Sequence, residues 1–365
     1  MSATVSCDGT WQRRGFASKN GVATVISVDG PNCKVLDVET LTNYCAACAK
    51  ATKKKTAAEL AQWKVQHASV CEKNHTGSAG AMEPVGMSAI FGRSRQERGL
   101  DYSHYLGDGD SKAFSAVQSS APYPVDKLEC CGHVQKRMGK RLMDTVAANK
   151  GKTFIDAKGK KSKGIGGAGK LTQKAIKRIQ GHYGGAIRSN SNDLKGMKKA
   201  IWAIWKHRGD DHSDCGNWCL SKQDKPVKNC LPKHVLDAIK PVFEALTKDD
   251  LLKKCLHGGS QNPNESFHHL IWERCPKTVF VGRRRLELGV YDAVLAFNGG
   301  ETQRLSVLQQ LCILPGAHAK KFASVVDRKR VQASVCAGDK ENIEKRRKRV
   351  EDVAPDDQNY CAGGF

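Results

Sequence analysis

The first forty residues constrain the chain most. "ATVSC" and "KVLDVETL" alternate apolar with polar residues, and "VATVISV" is β-branched and small, while "KNG" and "DGPN" punctuate these stretches as turns. They predict three strands in an antiparallel meander, the first ending at Asp8 in "SCDGTW". "YSHYLGDGD" predicts a fourth short strand behind a helix, and "KLECCGHV" a fifth, followed by the basic helix "QKRMGKRLMDTVAANK". The fold class is therefore α/β: a mixed sheet flanked by helices.

After residue 149 the pattern changes. Residues 150–170 are rich in Lys and Gly and predict a mobile loop. "LTQKAIKRIQGHYGGAI", "DLKGMKKAIWAIWKH" and "PKHVLDAIKPVFEALTKDDLLKKCL" have helical spacing, and "NPNESFHHLIWERC" predicts a further helix. The expected organisation has a first core segment at 1–149, with a Cys/His-rich insert at 43–76. A basic loop and helical insertion at 150–256 follow, then a return to the core at 257–318. A basic, disordered tail at 319–365 contains "KRRKR", which suits nuclear import or DNA binding.

Sixty Lys and Arg stand against 37 Asp and Glu, giving a net charge of +23. Such an excess points to a polyanion, nucleic acid first. No apolar run reaches the roughly 20 residues of a membrane span. The N-terminus lacks a signal-peptide layout, so the fifteen cysteines are expected to be reduced thiols, some of them metal ligands.

Three carboxylates stand out by position: Asp8 on the first strand, Asp108 after the fourth, and Glu265 opening the helix of "NPNESFHHLIW". Carboxylates at adjacent strand ends, with one from a facing helix, suit two Mg²⁺ (or Mn²⁺) ions about 4 Å apart acting on a phosphodiester. Asp110 fits a helix cap or a supporting group. A calcium loop starting at Asp108 fails, since Ala113 and Ser119 occupy the required Gly and Glu positions. "GIGGAGKLT" has the spacing of a phosphate-binding loop, but Leu171 replaces its Ser or Thr and no buried strand precedes it. Lys158, Lys160, Lys161, Lys163 and Lys170 around it suit DNA-backbone contact, or a merely solvated loop.

Cys45, Cys48 and Cys71, completed by His75 in preference to His67, have the spacing of a structural zinc site. His212, Cys215 and Cys219 form a smaller set that Cys230 or His207 would complete. Trp202 and Trp205 share a helix face, and core packing is favoured over base stacking.

"CDGTWQRRG", "YLGDGDSKAF", "LECCGHVQKRM" and "GGSQNPNESFHHLIW" occur in that order. Together they resemble the catalytic core of Mutator-like DDE transposases, the animal branch especially, over about residues 3–315. The resemblance implies an RNase H-like fold with a helical insertion before the last acid. It implies metal-dependent cleavage and strand transfer at transposon ends, with Asp8, Asp108 and Glu265 as the metal-holding triad. Cys130 and His133 match the family's Cys-x-x-His pair, as active-site support or as metal ligands. Double-stranded DNA (terminal repeats and target), a homo-oligomer and a nuclear location follow as expectations. The alternative is an inert or domesticated DNA-binding scaffold derived from a transposase, since such enzymes usually carry DNA-binding modules ahead of this core.

Overall fold

The computed structural model describes residues 1–13, 17–30, 32–109, 111–155, 159, 161–216, 219 and 230–338. The chain divides into two compact units, Met1–Gly289 and Val290–Phe365. In the first, Ser2–Trp11 (β1), Asn20–Ser27 (β2) and Lys34–Thr42 (β3) form the antiparallel meander. Asp101–Gly107 (β4) then pairs parallel to β1, and Asp126–Glu129 (β5) parallel to β4, giving the order β3-β2-β1-β4-β5.

A parallel neighbour needs a crossover connection. The chain between β3 and β4 supplies it through Ala46–Lys54 (α1), Ala57–His67 (α2) and Met82–Arg98 (α3), and Ser111–Ser120 (α4) links β4 to β5.

Strand alternation decides what each face of β1 meets. Ala3, Val5 and Cys7 join Ala23, Val25 and Tyr105 in a core closed by Met87, Ile90 and Phe91 of α3 and by Ala113 and Val117 of α4. Gly86 lets α3 approach closely, because a Cβ there would lie 2.6 Å from the Cβ of Ala23. The opposite face of β1 carries Ser6, Asp8 and Thr10 and receives Asn262–Arg274 (α10). Trp272 of α10 donates its indole N–H to Thr10 Oγ1 at 2.9 Å.

Cys131–Ala148 (α5), Gln173–Ser189 (α6), Leu194–Arg208 (α7), Lys233–Leu246 (α8) and Asp249–Lys253 (α9) build a separate helical core around Met138, Leu142, Ile179, Tyr183, Ile201, Ile239 and Phe243. Thr172 and Asp193 cap α6 and α7 by accepting the N–H of Ala175 and Gly196. Trp202 and Trp205 pack against this core, Trp205 donating to Leu236 O at 3.2 Å, as the packing reading expects.

The elements differ from the sequence reading at four places. β1 runs past Asp8 to Trp11, because Asp8 to Trp11 still pair with Thr24 to Gly21 of β2. β5 ends at Glu129 and α5 starts at Cys131, so Cys130 and His133 sit at a helix start rather than in a strand. Residues 150–170 contain a hairpin, Thr153–Ile155 (β6) with Lys161–Lys163 (β7), and Ile165 and Leu171 anchor this stretch in the helical core. Ala317–Gly338 (α12) is helical where a tail without regular structure was expected, consistent with the alanine-rich "AHAKKFASVV" at its start.

In the second unit, Gly300 (φ 76°) breaks the helix Arg283–Gln310 (α11), and Asp327 of α12 accepts the N–H groups of Glu301 and Thr302 beyond the break. Among the described residues no helix is long and apolar enough to cross a membrane.

Two glycines of α3 give opposite expectations. Gly86→Val should lower the unfolding free energy by about 1–3 kcal/mol through overpacking. Gly92→Ala, which meets nothing within 4 Å, should raise it by about 0.5–1 kcal/mol. Urea denaturation of the two variants checks both.

Candidate active site and Cys/His clusters

Strand register brings Asp8 and Asp108 to the same end of the sheet. Ser6 pairs with Leu106 across the parallel β1–β4 contact; Asp8 follows two residues later within β1, and Asp108 directly after the end of β4 at Gly107. Glu265 lies in the first turn of α10, which packs on β1 and β2.

Asn264 fixes that helix. It is fully buried, and its Nδ2 faces Ser6 O at 3.2 Å, Thr24 O at 3.3 Å and Thr24 Oγ1 at 3.0 Å. Gln261, just before α10, ties three elements at once. Its Nε2 donates to Cys7 O at 2.7 Å, its backbone N–H to Cys130 Sγ at 3.3 Å, and its Oε1 accepts from His133 Nδ1 at 2.9 Å.

His133 acts on both aspartates. Its Nδ1 is 3.8 Å from Asp108 Oδ1, and its charge also acts on Asp8. Its pKa is raised, first by the Cys130 thiol and then by Asp108. The Cys130 thiol is lowered: burial raises it, but His133 and the Gln261 N–H outweigh that. Arg137, one turn further along α5, sits 3.7 Å from Asp108 Oδ1 and 2.7 Å from Glu129 Oε2. Asp108 itself is half exposed and accepts the Gly109 N–H.

Asp8 holds its proton unusually tightly. Burial raises its pKa to about 8, and Glu83 and Glu265 add repulsion that His133 and the Gly9 N–H only partly offset. Glu83 belongs to the first turn of α3, and its Cγ would lie 2.9 Å from a Cβ on Gly9. Glycine at position 9 is what lets this carboxylate press on the strand. His268 also faces Asp8, Nδ1 to Oδ2 at 3.7 Å, but burial and Lys277 lower its pKa to about 3, so this is no ion pair at neutral pH.

A family model for Mutator-like transposases matches residues 1–219, more than half of the chain. The chain belongs to the Mutator-like transposase family. Membership makes it a member of a class of nucleic-acid-processing enzymes, with DNA as the partner. A comparison with curated proteins gives no match.

Among the described residues of this transposase-family chain, two Cys/His groups have the ligand set of a metal site, each with its four ligand atoms within 4.8 Å of one another. The first joins Cys45 and Cys48 at the start of α1, His67 at the end of α2, and Cys71. Cys45 Sγ lies 3.3 Å from His67 Nε2, and Cys48 Sγ 3.6 Å from Cys71 Sγ. The Cys45 thiol is lowered to about 6: burial raises it, and the N–H groups of Cys48 and Glu72 and the His67 ring outweigh that. Trp63 stacks on His67 at 4.3 Å and steadies the ring.

His75 lies elsewhere. By that point the chain has returned to the sheet edge, where the His75 N–H bonds Thr42 O at 3.0 Å and its Nε2 faces Ser78 O at 3.1 Å. His67 takes its place. The second group brings His212, Cys215 and Cys219 together with His207 of α7.

Of the basic residues, Lys161 and Lys163 are exposed on β7. Lys170 is not: its Nζ donates to Lys163 O at 2.7 Å and Gly164 O at 3.0 Å, so its charge is taken up inside the loop. Asp110, Lys158, Lys160 and the "KRRKR" stretch lie outside the described residues. Glu83, Gln261, Asn264 and Arg137 were not read from the sequence. Gln261 and Asn264 stand inside the quoted "QNPNESF", and Arg137 four residues after His133, so signals existed for three of them.

The raised Asp8 pKa has a stability consequence. The folded chain keeps this proton up to about pH 8, whereas an unfolded chain releases it near the ordinary aspartate value of 3.8. Between those values the unfolded state binds fewer protons, so stability of the metal-free protein falls as pH rises and levels off above about 8. Asp8→Asn removes the effect. In Mg²⁺- and Mn²⁺-free buffer the variant should be the more stable form at pH 8, with the gap closing toward pH 4. Because the Asp8 side chain keeps 29% exposure, the gap is expected to be on the order of 1–3 kcal/mol. Denaturant titrations across pH measure it.

Proposed function

We propose that the chain is the catalytic core of a DDE-type transposase, built on an RNase H-like sheet, that cleaves DNA at element ends and transfers the freed 3′ ends to target DNA. The observation that carries this reading is the parallel β1–β4 register, in which Ser6 and Leu106 pair two residues ahead of Asp8 and Asp108, together with the charge of Glu265 on α10 acting on Asp8. The strand order, with β1 to β3 antiparallel and β1, β4 and β5 parallel, supports the RNase H-like assignment.

The donor set fits Mg²⁺ or Mn²⁺. Asp8, Asp108 and Glu265 offer hard carboxylate oxygens, and the crowding of Glu83 and Glu265 on a half-buried Asp8 is the repulsion a dication would relieve. When bound, two such ions would supply Lewis-acid activation of the attacking hydroxyl and charge stabilisation on the leaving oxygen.

The chain's own side chains prepare that place. His133 and Arg137 orient Asp108 and add positive charge beside it. Gln261 locks α5 to α10, and Asn264 holds the Glu265 turn on the sheet. The net charge of +23 draws in the DNA backbone without regard to sequence, and Lys161 and Lys163 on the exposed hairpin suit such contact. Structural zinc in the Cys45, Cys48, His67 and Cys71 group would brace the crossover between β3 and β4. Action as a homo-oligomer in the nucleus belongs to the same reading.

Asp8→Asn, Asp108→Asn and Glu265→Gln should each reduce Mn²⁺-dependent DNA cleavage to background while DNA binding in a salt titration stays near wild type. Calorimetry separates catalysis from scaffolding. Wild type should bind Mn²⁺ and the Asp8→Asn/Asp108→Asn double variant should not; equal binding by both would put the DNA-binding scaffold in its place.

A further inference from the structure

The second Cys/His group lies in the helical block, away from the sheet that carries the carboxylates. α7 ends at Arg208, whose carbonyl accepts the Leu231 N–H at 2.7 Å. His207 comes from the last turn of α7, and His212, Cys215 and Cys219 follow it in the chain. Both thiols are buried, at 4% and 0% exposure.

Four ligands around one zinc ion obey simple geometry. With Zn–S near 2.3 Å and Zn–N near 2.0–2.1 Å, tetrahedral edges are about 3.3–3.4 Å for N–N, about 3.5–3.6 Å for S–N and about 3.8 Å for S–S. His207 Nδ1 and His212 Nδ1 are 3.1 Å apart. Cys215 Sγ is 3.5 Å from the first and 3.8 Å from the second. Cys219 Sγ is 3.6 Å and 3.3 Å from the same two atoms. Five of the six edges therefore fall within about 0.3 Å of the zinc values. The two rings stand at 79°, each turning the same nitrogen, Nδ1, inward.

The outer layer points the same way. A zinc-bound histidine usually hands its other ring nitrogen to a carboxylate or carbonyl, which fixes ring and tautomer. His212 Nε2 faces Asp210 Oδ1 at 3.2 Å. Asp210 adopts a φ of 69°, unusual for a residue other than glycine, and so aims its carboxylate back at the ring. Cys230, the alternative fourth ligand, instead donates its thiol to Asp210 at 3.3 Å.

We propose that His207, His212, Cys215 and Cys219 bind one zinc ion in a closed tetrahedral site oriented by Asp210, pinning Cys215 and Cys219 to the end of α7. No position stays open for water, so the role is structural. The site stands whether or not the carboxylates cleave DNA.

The test is metal content of the full chain, purified without chelator. Cys215→Ser/Cys219→Ser should lower bound zinc by one ion per chain, with the helical circular-dichroism signal kept. Cys230→Ser should leave the zinc content unchanged. Asp210→Asn should keep the ion but weaken its affinity about 10–100-fold in competition with a chromophoric chelator. Cobalt-loaded protein should show visible bands of tetrahedral S₂N₂ coordination that Cys215→Ser/Cys219→Ser removes. Unchanged zinc in the double variant would overturn the proposal, as would loss of zinc in Cys230→Ser or a Cys215–Cys219 disulfide in thiol mapping. If the double variant fails to fold, the Asp210→Asn competition decides: affinity equal to wild type for every bound ion overturns the site.

Discussion

Because β1 pairs antiparallel with β2 but parallel with β4, the strands leading to Asp8 and Asp108 run in one direction toward the same end of the sheet. Parallel neighbours cannot be joined by a tight turn, so the chain must cross over the sheet between them. α3 is that crossover, and its tight seat at Gly86 and its salt bridges from Arg93 to Asp37 and Glu39 hold it on β2 and β3. The first Cys/His group sits earlier in the same connection. The helical block and α10 then attach to a sheet already fixed.

Around Asp8 the chain sets like charges together, against its own stability. Asp8 is half-buried beside Glu83 and Glu265, and Asn264 Oδ1, buried with no partner among the described residues, lies on the same helix turn as Glu265. Local conflict of this kind marks sites shaped by function more than by packing. The surroundings contain it with neutral or positive partners: His133, Arg137, the Gln261 amide and a His268 kept uncharged by burial.

Much of this was legible in sequence because it depends on period and order. The alternation of β1 to β3, the helical spacing of α6 to α8 and the "NPNESF" helix needed no tertiary information. What was missed depends on where chains meet. His75 and His67 are equally good ligands by spacing, and only the return of Asn74 and His75 to Thr42 O decides between them. Glu83 has no local signature, since its role comes from Gly9 on another element. Lys170 read as a free cation because sequence does not show that the loop turns its own carbonyls toward it. The 150–170 stretch read as loop because its glycines mask the two apolar anchors, Ile165 and Leu171.

The place of the helical block in the chain bears on synthesis. Asp8 and Asp108 leave the ribosome with the sheet, but Glu265 follows only after α5 to α9, and residues 1–219 contain no part of its helix. Contacts between β1 and α10 span more than 250 residues, as in the Asn264 bond to Ser6, and pairings of such separation form late in folding. The nascent protein thus carries two of the three acids while the third is still unmade. On the proposed reading it gains cutting capacity only once the whole first unit has closed, a form of temporal control that needs no inhibitor.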